Sequence, residues 1–195
     1  IDAANLVKPN DMFAIKIHLG EWNNTAFVRP VYARALADRV TELGGRPFVC
    51  DTTTSTCSPW GSRSSELDIL LTAEHNGCSS ATLGCPFICA DGFIGASDFR
   101  VDLPERCLLK KAYVAQAIAA ADVLIALTRR EGHIMDGHPN NGLRAAAEFQ
   151  PRPPERSRTS RVAPPGSSVA STKSWELPPR KLLTGVSTQI IMLPK

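Results

Sequence analysis

The chain of 195 residues contains no apolar run long enough to cross a membrane and no recognisable secretory leader. A membrane-spanning helix needs about eighteen or more consecutive apolar residues, and no run approaches that length. The first residue is Ile1, and no basic segment followed by an apolar one comes after it. The sequence therefore predicts neither a membrane partner nor a signal peptide.

Several motifs of well-known active sites are also missing. The sequence has no Gly-x-Gly-x-x-Gly after a strand-like run, no phosphate-binding P-loop and no Gly-x-Ser-x-Gly elbow. It has no Cys-x-x-Cys pair, the close spacing on which zinc ribbons and ferredoxin clusters rely. These absences argue against a standard nucleotide or hydrolase site and against a cysteine-ligated cluster within this chain.

The cysteines are better explained by packing than by disulfides. They are Cys50, Cys57, Cys78, Cys85, Cys89 and Cys107. Cys50 and Cys89 lie inside apolar runs of strand length, and the chain is not a small secreted scaffold. Unpaired cysteine is among the most buried residue types. The cysteines therefore predict core packing in a reducing, cytoplasmic environment.

Basic charge is in excess only near the C-terminus. Residues 144–195 hold nine Lys or Arg against three acids, which leaves thirteen bases and sixteen acids in residues 1–143. The same segment holds eight of the fifteen prolines, a composition typical of disorder. A nucleic-acid-binding domain would carry its positive charge on the folded part, so no nucleic-acid partner is predicted. We expect an α/β domain over residues 1–142 and a disordered or frameshifted tail over residues 143–195.

Within residues 1–142, apolar runs of strand length alternate with helical periodicity. This pattern predicts an α/β fold with a mainly parallel sheet flanked by helices. The predicted strands are residues 12–18, 47–50, 86–90 and 123–127. Three helices are predicted. The first begins at Pro30 and ends before Gly44, the second covers residues 65–76, and the third covers residues 113–121. A hairpin of residues 99–103 with 107–110, and a short strand or link at 79–84, complete the prediction.

Polar residues capable of chemistry follow each predicted strand. His18, Asp51 and Asp91 end the first three strands, and His133 lies a few residues beyond the fourth. The carboxyl ends of parallel strands lie along one edge of a sheet, and ligands bind in the crevice there. We therefore expect these four residues to converge on a metal or substrate site.

Each of these residues also has a plainer explanation. A histidine at a strand end, whether His18 or His133, often only satisfies a local hydrogen bond. Asp51 is suited to binding a divalent cation, a sugar hydroxyl or the counter-ion of a phosphate, or to capping the next loop. Asp91 and the glycine after it fit either a ligand site or a simple turn.

Three cationic residues are further candidates. Arg29 and Arg63 suit an anionic group because guanidinium matches carboxylates and phosphates, although a solvated surface arginine is the default. Lys16 lies within the first strand, and its alternation with Ile15 and Ile17 points it to the opposite side. It is either a site lysine or a charge at the edge of the sheet.

A series of short strings, in order along the chain, resembles one known family. The strings are Ala14-Ile15-Lys16-Ile17-His18-Leu19-Gly20-Glu21, Asn24-Thr25, Arg29-Pro30, Glu42-Leu43-Gly44-Gly45-Arg46-Pro47-Phe48, Asp51-Thr52-Thr53-Thr54, Gly61-Ser62-Arg63, Asn76-Gly77, Ala90-Asp91-Gly92, Ala121-Asp122-Val123-Leu124-Ile125 and Gly132-His133. Together they resemble the uncharacterised iron–sulfur-centre proteins, the domain of unknown function numbered 362, over residues 8–138.

The resemblance implies a redox or metal-dependent function. In that family the domain is commonly followed by a ferredoxin-like segment whose cysteines bind four-iron, four-sulfur clusters, and no reaction is established. It thus implies an iron–sulfur cluster or a divalent metal as cofactor, and a ferredoxin-like domain or redox partner.

This chain departs from the family pattern after Gly132-His133. The glycine-rich stretch of the family is replaced there, and no cysteine follows Cys107. We therefore expect the cluster-binding segment to be missing. Two alternatives stand beside the redox or metal-dependent function: a docking domain for a ferredoxin-like partner without chemistry of its own, and a truncated remnant.

Overall fold

The computed structural model describes residues 8–22, 24–54, 62–102, 111–129, 173–174 and 186–192. These residues form eight strands and four helices. In chain order the elements are β1 (Met12–Ile17), α1 (Pro30–Glu42), β2 (Arg46–Asp51), α2 (Glu66–His75), α3 (Ser80–Leu83), β3 (Phe87–Cys89), β4 (Asp98–Asp102), β5 (Lys111–Ala115), α4 (Gln116–Ala120), β6 (Val123–Arg129), β7 (Lys173–Ser174) and β8 (Val186–Met192).

A mainly parallel sheet organises the described part of the chain. Its strand order is β3-β2-β1-β6-β8-β7, and the first four strands in that order are parallel. β8 and β7 extend the sheet antiparallel beyond β6. Strands β4 and β5 form a separate two-stranded antiparallel sheet. The predicted fold class is therefore confirmed.

The winding of the sheet reverses at β1. From β1 the chain moves outward to β2 and β3, and it then returns to β6 on the opposite side of β1. In open α/β sheets the crevice outside the carboxyl ends of the strands at such a reversal is the usual ligand site. His18, directly after β1, lies at this position.

Helix α1 covers one face of the sheet. Pro30 occupies its first turn, a position where the missing N–H costs nothing. Its buried residues Ala33, Leu36, Ala37 and Val40 recur at helical spacing. They pack in one cluster with alternate residues of β1 (Phe13, Ile15 and Ile17) and with Ile69 and Ala73 of α2.

The opposite face has a smaller core. Ala14 of β1 packs there with Cys50 and Leu124 of the neighbouring strands and with Ile118 of α4. Val114 of β5 lies against the same cluster, so the two-stranded sheet helps to cover this face. Alternation along β1 places Lys16 on the same side as Ala14.

The four predicted strands of the parallel sheet and the helices α1 and α2 are confirmed. Three predictions need correction. Residues 79–84 were expected to be a strand or link, but Ser80–Leu83 is a short helix because the Ser79 side chain caps it by accepting from the Thr82 N–H. Residues 113–121 were expected to be one helix, but pairing with β4 draws Lys111–Ala115 into a strand before α4 begins. The hairpin prediction is corrected in the same way: β4 pairs with Lys111–Ala115 and not with residues 107–110, which lie outside the described residues.

Helix α2 turns its leucines outward. Leu67, Leu70 and Leu71, whose spacing predicted the helix, are 57%, 40% and 49% exposed. The inward side consists of Ile69, Thr72 and Ala73. The helical period was therefore predicted correctly, but the strongest apolar stripe of this helix faces solvent.

The segment expected to be a disordered tail contributes two of the described strands, Lys173–Ser174 and Val186–Met192. The rest of that segment, and the predicted boundary after residue 142, lie outside the described residues. None of the described helices is both long and apolar enough to cross a membrane.

Candidate functional site

Asp51, the last residue of β2, is fully buried and makes four polar contacts. Its Oδ1 accepts from the Thr52 N–H and lies 2.8 Å from Lys16 Nζ. Its Oδ2 accepts from the Leu19 N–H at 2.9 Å and from Arg63 Nη1 at 3.3 Å. This carboxylate therefore joins the end of β1 to the end of β2.

The charge of Asp51 is maintained by these neighbours. Burial alone would raise the pKa of the carboxyl, but Lys16, Arg63 and His18 lower the Asp51 pKa from 3.8 to about 2. Asp51 is consequently ionised at any physiological pH and holds two cations in the interior.

Arg63 continues this chain of charges toward the surface. Its Nε donates to Glu21 Oε1 at 2.8 Å, while its Nη1 reaches Asp51. Burial would raise the pKa of Glu21, but the Ser62 and Arg63 hydrogen bonds lower it. The resulting series Lys16, Asp51, Arg63, Glu21 alternates in sign, and we refer to it as the ion-pair chain.

Hydrogen bonds hold the segment that carries Arg63. The Ser62 N–H and hydroxyl both donate to Glu21 Oε2. The Thr54 N–H donates to the Arg63 carbonyl at 2.9 Å, and the Thr72 hydroxyl of α2 donates to the Ser62 carbonyl at 2.6 Å. Arg63 is thus fixed from the loop after β1, from the end of β2 and from α2.

His18 is half-buried beside Arg63. Its Nδ1 lies 3.3 Å from Arg63 Nη1. Arginine can only donate a hydrogen bond, so a hydrogen bond across this contact uses Nδ1 of a neutral ring as the acceptor. In the neutral ring this contact favours the tautomer with its proton on Nε2, and in either protonation state Nε2 is the ring nitrogen that does not face Arg63.

Lys16 is not at an edge of the sheet. It is 2% exposed and belongs to β1, which has strands on both sides. Its Nζ contacts Asp51 and donates to the Ile17 carbonyl at 3.1 Å. Of the two alternatives that the sequence left open, the edge charge is therefore wrong.

Asp91 forms a neighbouring cluster just after β3. Its carboxylate accepts from the Thr53 N–H and from the Thr53 hydroxyl, the latter at 2.6 Å, and Cys89 Sγ lies 3.3 Å from its Oδ1. The Ala90 N–H donates to the Asp51 carbonyl at 2.9 Å, which ties this strand end to the previous one. Gly95 packs so closely here that a Cβ would overlap Thr53 Oγ1.

The N-terminus of α1 opens on the same edge of the sheet, because α1 follows β1 after a loop. Arg29 occupies the cap position without a side-chain capping bond, and the first turn contains no acid. The Arg29 side chain is exposed and has no hydrogen bond or ion pair to another described residue. By contrast, the N-terminus of α2 is capped by Ser65 and carries Glu66 and Asp68.

The structure thus brings His18 and Asp51 together through Arg63, which contacts both, and places Asp91 at the adjoining strand end. Arg29 lies at the same edge but outside this contact network, and His133 lies outside the described residues. Reasoning from the sequence missed the roles of Glu21 and Ser62. The only available signal was the acid three residues after His18, and nothing local indicated its partner some forty residues away.

The described residues do not fit the iron–sulfur cluster that the resemblance implied. Cys50, Cys78, Cys85 and Cys89 are all buried and unpaired, and Cys50 packs on the opposite side of the sheet from the other three. Burial raises the pKa of the Cys50 and Cys78 thiols to about 12, whereas cluster ligands are thiolates. Within the part of the chain that the structure describes, no three His, Cys, Asp or Glu residues are arranged to hold a metal ion.

The fold and the strand-end network define a doubly wound α/β domain with a polar site where its winding reverses. Residues 13–138 match the domain of unknown function DUF362, and because this match spans more than half of the chain, the protein belongs to that family. The description of the family names no activity, cofactor or partner. A search of the curated proteins and a search of the solved structures each found no match.

Proposed function

We propose that the protein binds a small anionic ligand, through a phosphate or carboxylate group, at the carboxyl edge of β1. The observation that carries the proposal is the N-terminus of α1, which opens on this edge with Arg29 and without a carboxylate. Pro30 has no N–H, and the Tyr32 N–H donates to the Arg29 carbonyl. The Val31 N–H and the helix dipole are therefore what favour an anion at this position. The N-terminus of α2, already occupied by its own acids, provides the contrast.

His18 supports the same chemistry. Its contact with Arg63 is made through Nδ1, which leaves Nε2 for a ligand, and a ring N–H at Nε2 is a suitable donor to an oxyanion. In this proposal His18 and Arg29 contact the ligand. Arg63 acts through His18 as a positioning residue.

The ion-pair chain orients the side chains of the proposed site from the interior of the domain. Asp51 holds Lys16 and Arg63 in the interior, and Glu21 fixes the other side of the Arg63 guanidinium. Because each of these groups is oriented by another, the imidazole of His18 is held in one place before a ligand arrives. Preorganisation of this kind lowers the entropic cost of binding.

The competing proposal is a redox or metal-dependent site at the same edge, as the family resemblance suggests. It would use His18, Asp51, Asp91 and His133 as ligands. In the described geometry Asp51 accepts from two N–H groups and two cations, and Asp91 accepts from Thr53 and contacts Cys89. A metal would have to displace these partners, which is why we favour the anion.

The test is an NMR titration of the full chain with inorganic phosphate and, separately, with acetate, at constant ionic strength set by chloride. We expect saturable shifts of the Gly20 and Val31 amides. His18→Ala and Arg29→Ala should each weaken phosphate binding about threefold or more, the size of a helix-terminus or charge-assisted contact. Arg46→Ala is the matched control, because Arg46 is also exposed but begins β2 at the opposite edge of the sheet.

Equal weakening by Arg46→Ala would show that phosphate responds only to overall charge, and the proposal would be rejected. Elemental analysis of the anaerobically purified chain decides the competing proposal. Near-stoichiometric iron or zinc that is lost in His18→Ala would favour the metal site over the anion site.

A further inference from the structure

The outward face of α2 forms a continuous apolar surface. Leu67, Leu70 and Leu71 are spaced three and four residues apart and therefore adjoin one another on the helix. Each is at least 40% exposed. This is unusual for a helix whose opposite side, through Ile69 and Ala73, already packs in the core.

The surface extends beyond both ends of the helix. At the N-terminal end the Glu66 N–H donates to the Phe93 carbonyl, which brings Phe93 and Ile94, 64% and 69% exposed, beside the first turn. At the C-terminal end the ring of Trp22, 52% exposed, lies 5.8 Å from the ring of His75. We call this strip, formed by Trp22, Leu67, Leu70, Leu71, Phe93 and Ile94, the α2 surface.

The side-chain charges that α2 itself carries, apart from the titratable His75, are of one sign. Helix α2 carries Glu66, Asp68 and Glu74 but neither Lys nor Arg. Hydrogen bonds from Ser64 and Ser65 lower the pKa of Asp68, so its carboxylate stays ionised. The nearest arginine along the chain, Arg63, is buried in the ion-pair chain.

This acidic border discriminates between the surfaces that could cover the leucines. A second copy of the chain would bring carboxylates against carboxylates in either helix orientation, which is unfavourable. A membrane surface rich in anionic lipid would repel the same carboxylates. A helix with an apolar stripe flanked by Lys or Arg would match both the spacing of the leucines and the sign of the border.

We propose that the α2 surface is a docking site for a basic amphipathic helix of a partner protein. The stripe of the partner packs along Leu67, Leu70 and Leu71, and its basic residues pair with Glu66 and Glu74. This proposal does not rest on the proposed anion site, whose ligand contacts, His18 and Arg29, are not part of the α2 surface.

The experiment uses the full chain and two labelled synthetic peptides with leucines at helical spacing, one with lysines and one with glutamates at all other positions. Binding is followed by fluorescence anisotropy. We expect the lysine peptide to bind and the glutamate peptide not to bind. Leu71→Ser should weaken binding about fivefold or more, as expected when a half-exposed leucine becomes buried. Glu74→Lys should weaken it as well.

Val31→Ser is the control, since Val31 is an exposed apolar residue of another helix, α1, and is 62% exposed against 49% for Leu71. It should leave the affinity within about twofold, well below the loss from an interface leucine. The proposal is overturned if Val31→Ser weakens binding as much as Leu71→Ser, or if the glutamate peptide binds equally well. It is also overturned if sedimentation shows that the chain dimerises in a manner abolished by Leu71→Ser, because a second copy would then be the occupant.

Discussion

At the scale of single residues, Asp51 links most of the groups at the carboxyl edge. It is fully buried, it meets Lys16 and Arg63, and it accepts the Leu19 N–H of the loop after β1. A buried carboxylate with this many partners is costly to replace, because its loss leaves two buried cations without their counter-charge. Asp51 is therefore as much a structural residue as a candidate for the site.

We predict that Asp51→Asn lowers the free energy of unfolding by about 3–5 kcal/mol, the usual cost of breaking a buried ion pair from one side. Asp38→Asn is the control, because Asp38 pairs with Arg34 on the surface of α1 and is 50% exposed. It should change stability by less than about 0.5 kcal/mol. Urea denaturation of both variants gives the comparison, and a loss below about 1 kcal/mol for Asp51→Asn would contradict the role of Asp51 as an anchor.

Asp51 also makes the stability of the folded chain depend on pH, and its lowered pKa gives the direction of that dependence. The pKa of Asp51 is about 2 in the folded chain against 3.8 for the free side chain. Between these values the unfolded chain takes up a proton that the folded chain does not, so stability falls as pH decreases through this window. The denaturation midpoint of the wild type should therefore decrease below about pH 4, and that of Asp51→Asn should decrease less steeply.

The sequence was sufficient to predict His18 and Asp51 as strand-end neighbours, because the periodicity of β1 and β2 is local. It was not sufficient to predict that Arg63 would lie between Asp51 and Glu21. That contact depends on how the segment before α2 folds back across two strand ends, and the bonds that hold it, from Thr54 and Thr72, are not visible in any local pattern.

At the scale of elements, α2 shows that helical periodicity in the sequence does not determine which face of the helix is buried. Its sequence has apolar residues on both sides, Ile69 and Ala73 on one and Leu67, Leu70 and Leu71 on the other. The larger residues would be expected inside by burial alone. The bond from the Thr72 hydroxyl to the Ser62 carbonyl links α2 to the preceding segment and is specific to the observed orientation.

Two substitutions test this orientation directly. Ile69→Ala should lower the free energy of unfolding by about 2–5 kcal/mol, because Ile69 is fully buried and the change leaves a cavity. Leu67→Ala should cost less than about 1 kcal/mol, because Leu67 is 57% exposed. Thermal and urea denaturation of both variants would show which substitution costs more stability. A larger loss for Leu67→Ala than for Ile69→Ala would mean that the leucines face the core.

The alanine-rich segment before β6 shows a different limit of predicting secondary structure from local composition. Its composition favours a helix from residue 113 onward. Pairing with β4 converts Lys111–Ala115 into a strand, with Tyr113 opposite Arg100, and only Gln116–Ala120 is helical. Pairing with the preceding strand thus overrides local propensity at this point. The apolar patterns of α1 and β2 predicted those two elements without reference to a pairing partner.

At the scale of the whole molecule, β8 completes the side of the sheet on which β6 would otherwise be the edge. It pairs antiparallel with all seven residues of β6, from Val123 to Arg129. An unpaired edge of that length would be a template for aggregation. The composition of residues 144–195 predicted disorder, and no strand was predicted there.

We predict that Ile190→Pro destabilises the whole sheet. Ile190 is opposite Ile125 of β6 and also opposite Lys173 of β7, so its N–H serves one neighbour or the other. Proline removes that donor from an interior strand, at a cost of about 3 kcal/mol. Urea denaturation should show this loss, light scattering should show aggregation through β6, and the control Ile190→Val should retain both stability and solubility. If Ile190→Pro unfolds at the same urea concentration as the wild type, β8 contributes nothing to the stability of the parallel sheet, and that sheet is stable with β6 as its edge.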